Sequence, residues 1–254
     1  MKKILLILCA IALISTASQC KKDVTPTPSP TPIVAGSLEM TFKALYANRP
    51  LIINNIYDYN GKKIRFEKLQ FFIAYDGPSL ETAVGDNTPK TALIKLTNLT
   101  DSVSAVEGVT VDIPLASRNW SSINLGTGIP KTLNAKLPKD FSFPDGMSDS
   151  GNYWDSWQSY IFAKLEGKID KDGDGLFETG ITLHTGGNEV FTPLKYTKIF
   201  LIKDATTTKV TFELNLNELV KNIDLTTVNS THQVGSSAVM KVMMGNFPTA
   251  LTIK

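Results

Sequence analysis

The sequence predicts an all-β protein, an antiparallel β-sandwich of the immunoglobulin-like, Greek-key type with few short helices. Three observations carry that prediction. Apolar and polar residues alternate over many short runs, Asp/Asn/Gly/Pro punctuation separates the runs, and helical periodicity is confined to two brief stretches. Alternation with a period of two marks a half-buried strand, and many short strands with turns between them favour a sandwich.

The chain opens on a segment that precedes the fold. Residues 1–19, MKKILLILCAIALISTASQ, have a charged start at Lys2 and Lys3, an apolar run from Ile4 to Ile14, and a small, polar exit. A membrane span needs ~20 apolar residues; this run is shorter and reads as a secretory signal peptide. It ends at Cys20, the position expected to be acylated in a bacterial lipoprotein, although Gln19 stands where a small residue is usual. Cys20 would then tether the chain to the membrane and place it in the cell envelope. Cys9 leaves with the leader, so the mature chain has no thiol for a disulfide, a thiolate metal site or cysteine catalysis.

Residues 20–36 carry a Thr/Pro-rich stretch, KKDVTPTPSPTPIVAG after the cysteine. Alternating prolines favour polyproline II at about 3.1 Å per residue, so ~14 residues reach roughly 40 Å from the anchor. Residues 37–254 show no second composition break and no repeat, and read as a single domain.

Within the domain, SLEMTFKALY alternates Leu38, Met40, Phe42 and Ala44 against polar partners. YNGK, Tyr59–Lys62, is a hairpin turn, because Asn60-Gly61 tolerates the positive φ of tight turns. In KIRFEKLQFFIAY the apolar phase slips after Phe66, the mark of a β-bulge. TALIKLTNL, GVTVDIPL, KYTKIFLIK and KVTFELNLNEL add strand-like runs. The helical stretches are Asn217–Ile223 and Met147–Trp157. In YWDSWQSYIFAKLEG, Ser159, Ile161, Ala163 and Leu165 share one strand face, and Tyr160, Phe162, Lys164 and Glu166 the other, which turns polar. Trp154 and Trp157, three apart, cannot share a strand face but can share that of a helical turn entering the strand.

Charge excludes one class. The chain has 26 Lys+Arg against 24 Asp+Glu, and removing Lys2 and Lys3 leaves 24 against 24. Nothing in that balance favours nucleic acid. LGTGIP lacks the third glycine of a nucleotide loop, and no GxSxG, HExxH or GK[ST] motif occurs.

One metal motif stands on spacing alone. IDKDGDGLFE places Asp170, Asp172 and Asp174 at alternate positions, then Gly175 and Glu178. Hard oxygen ligands at that density select Ca²⁺, with glycine allowing the sharp turn. Ile181 stands where an EF-hand has its last glutamate, so the expectation is a partial loop stapling a hairpin between Leu165 and Leu183.

Four blocks together resemble one known family. They are LEMTFKALYANRPLIINNIYDYNGKKIRFEKLQFFIAY (38–75), WSSINLGTGIP (120–130), YWDSWQSYIFAKLEG (153–167) and ITLHTGG (181–187). MKVMMGNF (240–247) resembles that family's end. The family is that of the MbnP-like domain proteins, extracytoplasmic and often lipidated, related to methanobactin-associated copper-binding proteins. The resemblance implies a copper-binding β-sandwich, and the reading adopted from the sequence is that it binds the metal without turning over substrate. It also implies histidine ligands and a tryptophan that a haem-containing partner oxidase converts to kynurenine. Carried over by motif, His184 is a ligand and Trp154 or Trp157 the tryptophan; His232 joins as the only other histidine. Two histidines are fewer than copper-binding members tend to have. The methionines Met147, Met240, Met243 and Met244 are chemically able to bind Cu(I), but their apolar context reads as core. Two other classes stay open. A surface interaction or carbohydrate-binding module would present Trp120, Tyr153, Trp154 and Trp157 as a flat exposed platform, and a hydrolase would need carboxylates and His184 in one cleft.

Overall fold

The computed structural model describes residues 35–75, 89–231 and 238–254. The expected leader, Cys20 and the tether up to residue 34 lie outside them, as does His232. The strands in order are β1 (Ala35–Tyr46), β2 (Arg49–Pro50), β3 (Ile56–Tyr59), β4 (Lys62–Tyr75), β5 (Lys90–Ile94), β6 (Val109–Ala116) and β7 (Arg118–Thr127). They continue with β8 (Tyr153–Trp154), β9 (Ser159–Asp170), β10 (Thr179–Gly186), β11 (Thr192–Ile202), β12 (Thr207–Asn215) and β13 (Leu251–Ile253). Among the described residues four α-helices are interspersed: α1 (Ser102–Glu107), α2 (Lys131–Asn134), α3 (Leu216–Leu219) and α4 (Ala238–Ala250).

The strands form two sheets, the β-sandwich expected. One holds β13, β12, β1 and β2 in order, with β6 also on β1; the other runs β10-β9-β4-β7-β11, with β3 and β5 on β4 and β8 on β9. The pairings are antiparallel except that β1 runs parallel to β12, from Ser37 opposite Thr207 to Leu45 opposite Asn215. Ala35 and Gly36, expected in the tether, already pair with β6.

Local chemistry explains the elements that place the site. Asn60 and Gly61 both have positive φ, 52° and 78°, and turn β3 into β4 with Tyr59 opposite Lys62. The expected bulge is present, as the register of β4 on β9 shifts between Phe66 and Lys68. Leu38, Met40, Phe42 and Ala44 are fully buried. Phe42 stacks on Phe212 at 5.1 Å and meets Phe71 of the other sheet edge-on at 6.1 Å, joining the two layers.

Helix α4 is the element that strand periodicity did not anticipate. Its buried Met240, Met243, Met244 and Phe247 fall at helical spacing, and Phe247 reaches Phe71 at 5.2 Å. The methionines pack in the core, as expected of them. The stretch expected to be helical around the tryptophans forms three separate 3-10 turns, Gly146–Ser148, Ser150–Asn152 and Asp155–Trp157.

Candidate metal site

Strands β4, β9 and β10 lie side by side, and their registers stack residues in rows. Leu69, Leu165 and Leu183 form one row and are fully buried. Because successive side chains alternate in face, the neighbouring rows present the opposite face of the sheet. Gln70, Lys164 and His184 make one of those rows, Lys68, Glu166 and Thr182 the next. This is the face of β9 that the sequence shows turning polar.

His184 is buried, and its Nε2 lies 2.9 Å from Oε1 of Glu166, diagonally across the row. Lys68 Nζ donates to the same carboxylate oxygen at 3.1 Å. Burial pushes the Glu166 carboxyl up, but the hydrogen bonds from His184 and Lys68 and the Lys68 charge outweigh it and hold it below its ordinary value. Lys164 is buried beside them and donates to the Gly151 carbonyl at 2.5 Å. Burial, reinforced by the nearby Lys68 charge, pulls its ammonium below the usual lysine value.

The tryptophans close over one side of this row. Trp154 pairs with Ser159 in a two-residue strand, the chain makes one 3-10 turn, and Gln158 in the left-handed region sends it back as β9. The turn brings the two indoles together, stacked at 4.9 Å and 12°. Trp154 presents an edge-on contact to His184 at 6.2 Å. Trp157 is buried, and a Cβ on Gly186 would stand 2.9 Å from its Cε3. Gly186 therefore has to be glycine to seat Trp157, a physical reason for the Gly-Gly after His184.

A residue that sequence reading missed ties a second segment to the site. Thr231, buried, accepts from the His184 backbone N–H at 2.7 Å and donates to the His184 carbonyl at 2.5 Å. Asn229 and Ser230 run beside β10 in parallel, with Thr182 N–H donating to the Asn229 carbonyl. His232 is the next residue in the sequence after Thr231. Met244 is on the other face, because its sulfur accepts from Thr185, the neighbour of His184 along β10. No signal in the sequence pairs Thr231 or Glu166 with His184; both contacts are products of strand register.

The aromatic platform is not assembled. Trp120 and Trp157 are buried, Trp120 against Phe200, and Trp154 is stacked face to face with Trp157. A flat display of the four aromatics is therefore replaced by packing.

Some distance along β9, the acidic loop forms the hairpin to β10, with Leu165 opposite Leu183 as expected. Carboxylate oxygens of Asp170, Asp172, Asp174 and Glu178 lie within 4.8 Å of one another. Asp170 is buried and accepts from Gly173 N–H at 2.7 Å and Gly175 N–H at 3.0 Å. Both glycines have φ near +90°, which ordinary residues avoid. Glu178 accepts from its own N–H and that of Lys171, which holds its carboxyl below the usual range.

With this geometry in place, comparison with known proteins is decisive for family. The MbnP family profile matches residues 35–240, most of the chain. The chain belongs to the MbnP family. Among solved structures, MbnP from Methylosinus trichosporium is similar with a TM-score of 0.51 at 12% identity, over 82% of this chain and 87% of that one. At that identity the likeness shows the shared sandwich. No curated protein matches. The MbnP profile spans both the tryptophan turn and the His184 strand end.

Proposed function

We propose that this MbnP-family protein is an extracytoplasmic, lipid-anchored copper-binding protein, with His184 and His232 as ligands and no substrate turned over. The observation that carries the reading is the pair of hydrogen bonds that fastens Thr231 to the backbone of His184. His232 follows Thr231 directly in the sequence, and that adjacency is our reason for choosing it as the second ligand. The donor chemistry fits: imidazole nitrogen suits copper, and a ligating histidine ordinarily hands its other ring nitrogen to a carboxylate, as His184 does to Glu166. Of the two tryptophans, Trp154 is the one in contact with His184, and it is our choice for conversion to kynurenine. That conversion would cleave the indole C2–C3 bond with two oxygen atoms from an oxidant handled by a haem-containing partner, and hydrolysis would then release the C2 carbon as formate. Cys20 would carry the lipid, in the cell envelope.

Anaerobic loading with Cu(I) followed by metal analysis tests the reading. One copper per wild-type chain, lost in His184→Ala, supports it; equal copper in both removes His184 from the site.

A second metal is supported by its own observation. The four converged carboxylates of the β9–β10 loop are an oxygen-rich set suited to Ca²⁺. We assign it a structural role, stapling the hairpin that carries His184.

A further inference from the structure

We propose that the outward face at the end of β11, built on Ile199 and Leu201 with Lys195 and Lys203 beside them, is a surface that lies against an anionic lipid bilayer. It rests on the lipid-anchor reading above for what brings a bilayer near, and its readouts separate the two.

Register places this face next to the tether. Ala35, the first described residue, pairs with Ala116. Gly36 packs so closely on the end of β11 that a Cβ there would stand 2.5 Å from Ile202 Cγ2. Ser37 N–H donates at 2.9 Å to the carbonyl of Thr206, in the turn from β11 to β12. The chain that leads back to Cys20 therefore leaves the domain beside the last residues of β11. Along that strand, alternation sends Phe200 and Ile202 inward, where they are buried, and Ile199 and Leu201 outward. Ile199 is 81% exposed, the most exposed large aliphatic among the described residues, and Leu201 is 44% exposed. Asn119, opposite Leu201 on β7, is exposed and uncharged.

Topology and charge select the occupant. β11 ends its sheet, so a second copy of the chain is the competing partner. The strand and its turn carry Lys195, Lys198 and Lys203 against one acid, Asp204. Lys198 donates to the Lys254 carbonyl, while Lys195 and Lys203 are exposed. Lysines along an edge strand oppose pairing with a like strand. They attract anionic headgroups instead, as the aliphatic side chains enter the interface. A tethered domain meets its bilayer at high effective concentration, so a small face is enough.

The test is photolabelling of the full chain, purified from membranes and reconstituted in phosphatidylethanolamine–phosphatidylglycerol vesicles that carry a diazirine lipid. Mass spectrometry maps the adducts, and the intact mass reports acylation. We expect adducts within residues 195–203. We expect none at exposed Ile56, whose neighbour Tyr57 packs on Tyr46 at the far end of β1, ~36 Å from Ala35 along the strand. Ile199→Asp/Leu201→Asp changes two exposed positions and should cut the adducts roughly tenfold or more. An acylated chain with no adducts in 195–203, or a double variant labelled like wild type, overturns the proposal and leaves the anchor standing. An unacylated chain still labelled there removes the anchor alone; without the labelling, both fall. Wild-type dimers that the double variant loses, with no lipid adducts on β11, would make the face an interface between copies and overturn the proposal.

Discussion

Replacing Thr231 by valine keeps the shape of the side chain and removes its hydroxyl, which makes two hydrogen bonds to the backbone of His184. Each is worth about 0.5–1.5 kcal/mol net, and a buried donor left unmade costs ~1–3 kcal/mol. The loss is therefore about 2 kcal/mol, concentrated where the 229–231 segment lies along β10. Hydrogen exchange of the His184 amide is the direct assay, because local opening reports local free energy. At 1.4 kcal/mol per tenfold, exchange should accelerate roughly 30-fold. Copper affinity should drop in step, by 5–150-fold for a coupling of about 1–3 kcal/mol, because the variant frees the segment that leads into His232. Thr231→Ser retains the hydroxyl and should behave close to wild type. An unchanged exchange rate in the valine variant, or a serine variant as damaged as the valine one, would refute the reasoning.

Three other outcomes follow from particular contacts. Gly186→Ala would place a Cβ 2.6 Å from the Tyr160 carbonyl and 2.9 Å from Trp157 Cε3; urea unfolding should show a loss of ~1–3 kcal/mol, with altered tryptophan fluorescence in the folded state. Added Ca²⁺ should raise the melting temperature in wild type and not in Asp172→Asn/Asp174→Asn, the stabilisation being ~2.7 kcal/mol at a hundred times the Kd; an equal rise in both would remove the loop as the site. Burial raises the phenols of Tyr160 and Tyr196, and pushes Tyr46 up to about 12. Unfolded tyrosines ionise near pH ~10, so this stability is fully present below that pH and is lost as the pH rises through the folded values. Absorbance from these three tyrosinates should therefore appear together with loss of near-ultraviolet circular dichroism, and a protein that stays folded while all seven tyrosines ionise near pH ~10 would contradict it.

What the sequence discloses is what local chemistry decides. The Asn60-Gly61 turn, the bulge after Phe66 and the burial of Leu38 to Ala44 follow from φ preference and alternation within a few residues. The polar turn of the β9 face at Lys164 and Glu166 was legible for the same reason, as was the common side of Trp154 and Trp157. The parallel pairing of β1 with β12 joins residues about 170 positions apart and leaves no mark in either strand. Helix α4 was hidden because Met240, Met243, Met244 and Phe247 have helical spacing inside a run that is apolar nearly throughout, where periodicity has little contrast. His184 could be named from scarcity and family likeness. Its partners could not, since Glu166 and Thr231 reach it through register across β9 and through the return of residues 229–231 along β10.

The central claim is a copper ion held by two imidazoles, and X-ray absorption at the copper edge of the Cu(I)-loaded protein tests it most directly. The account predicts nitrogen scatterers at about 2 Å with the outer-shell pattern of two imidazole rings, falling to one ring in His232→Ala. A first shell of sulfur, or oxygen scatterers without an imidazole pattern, would contradict it.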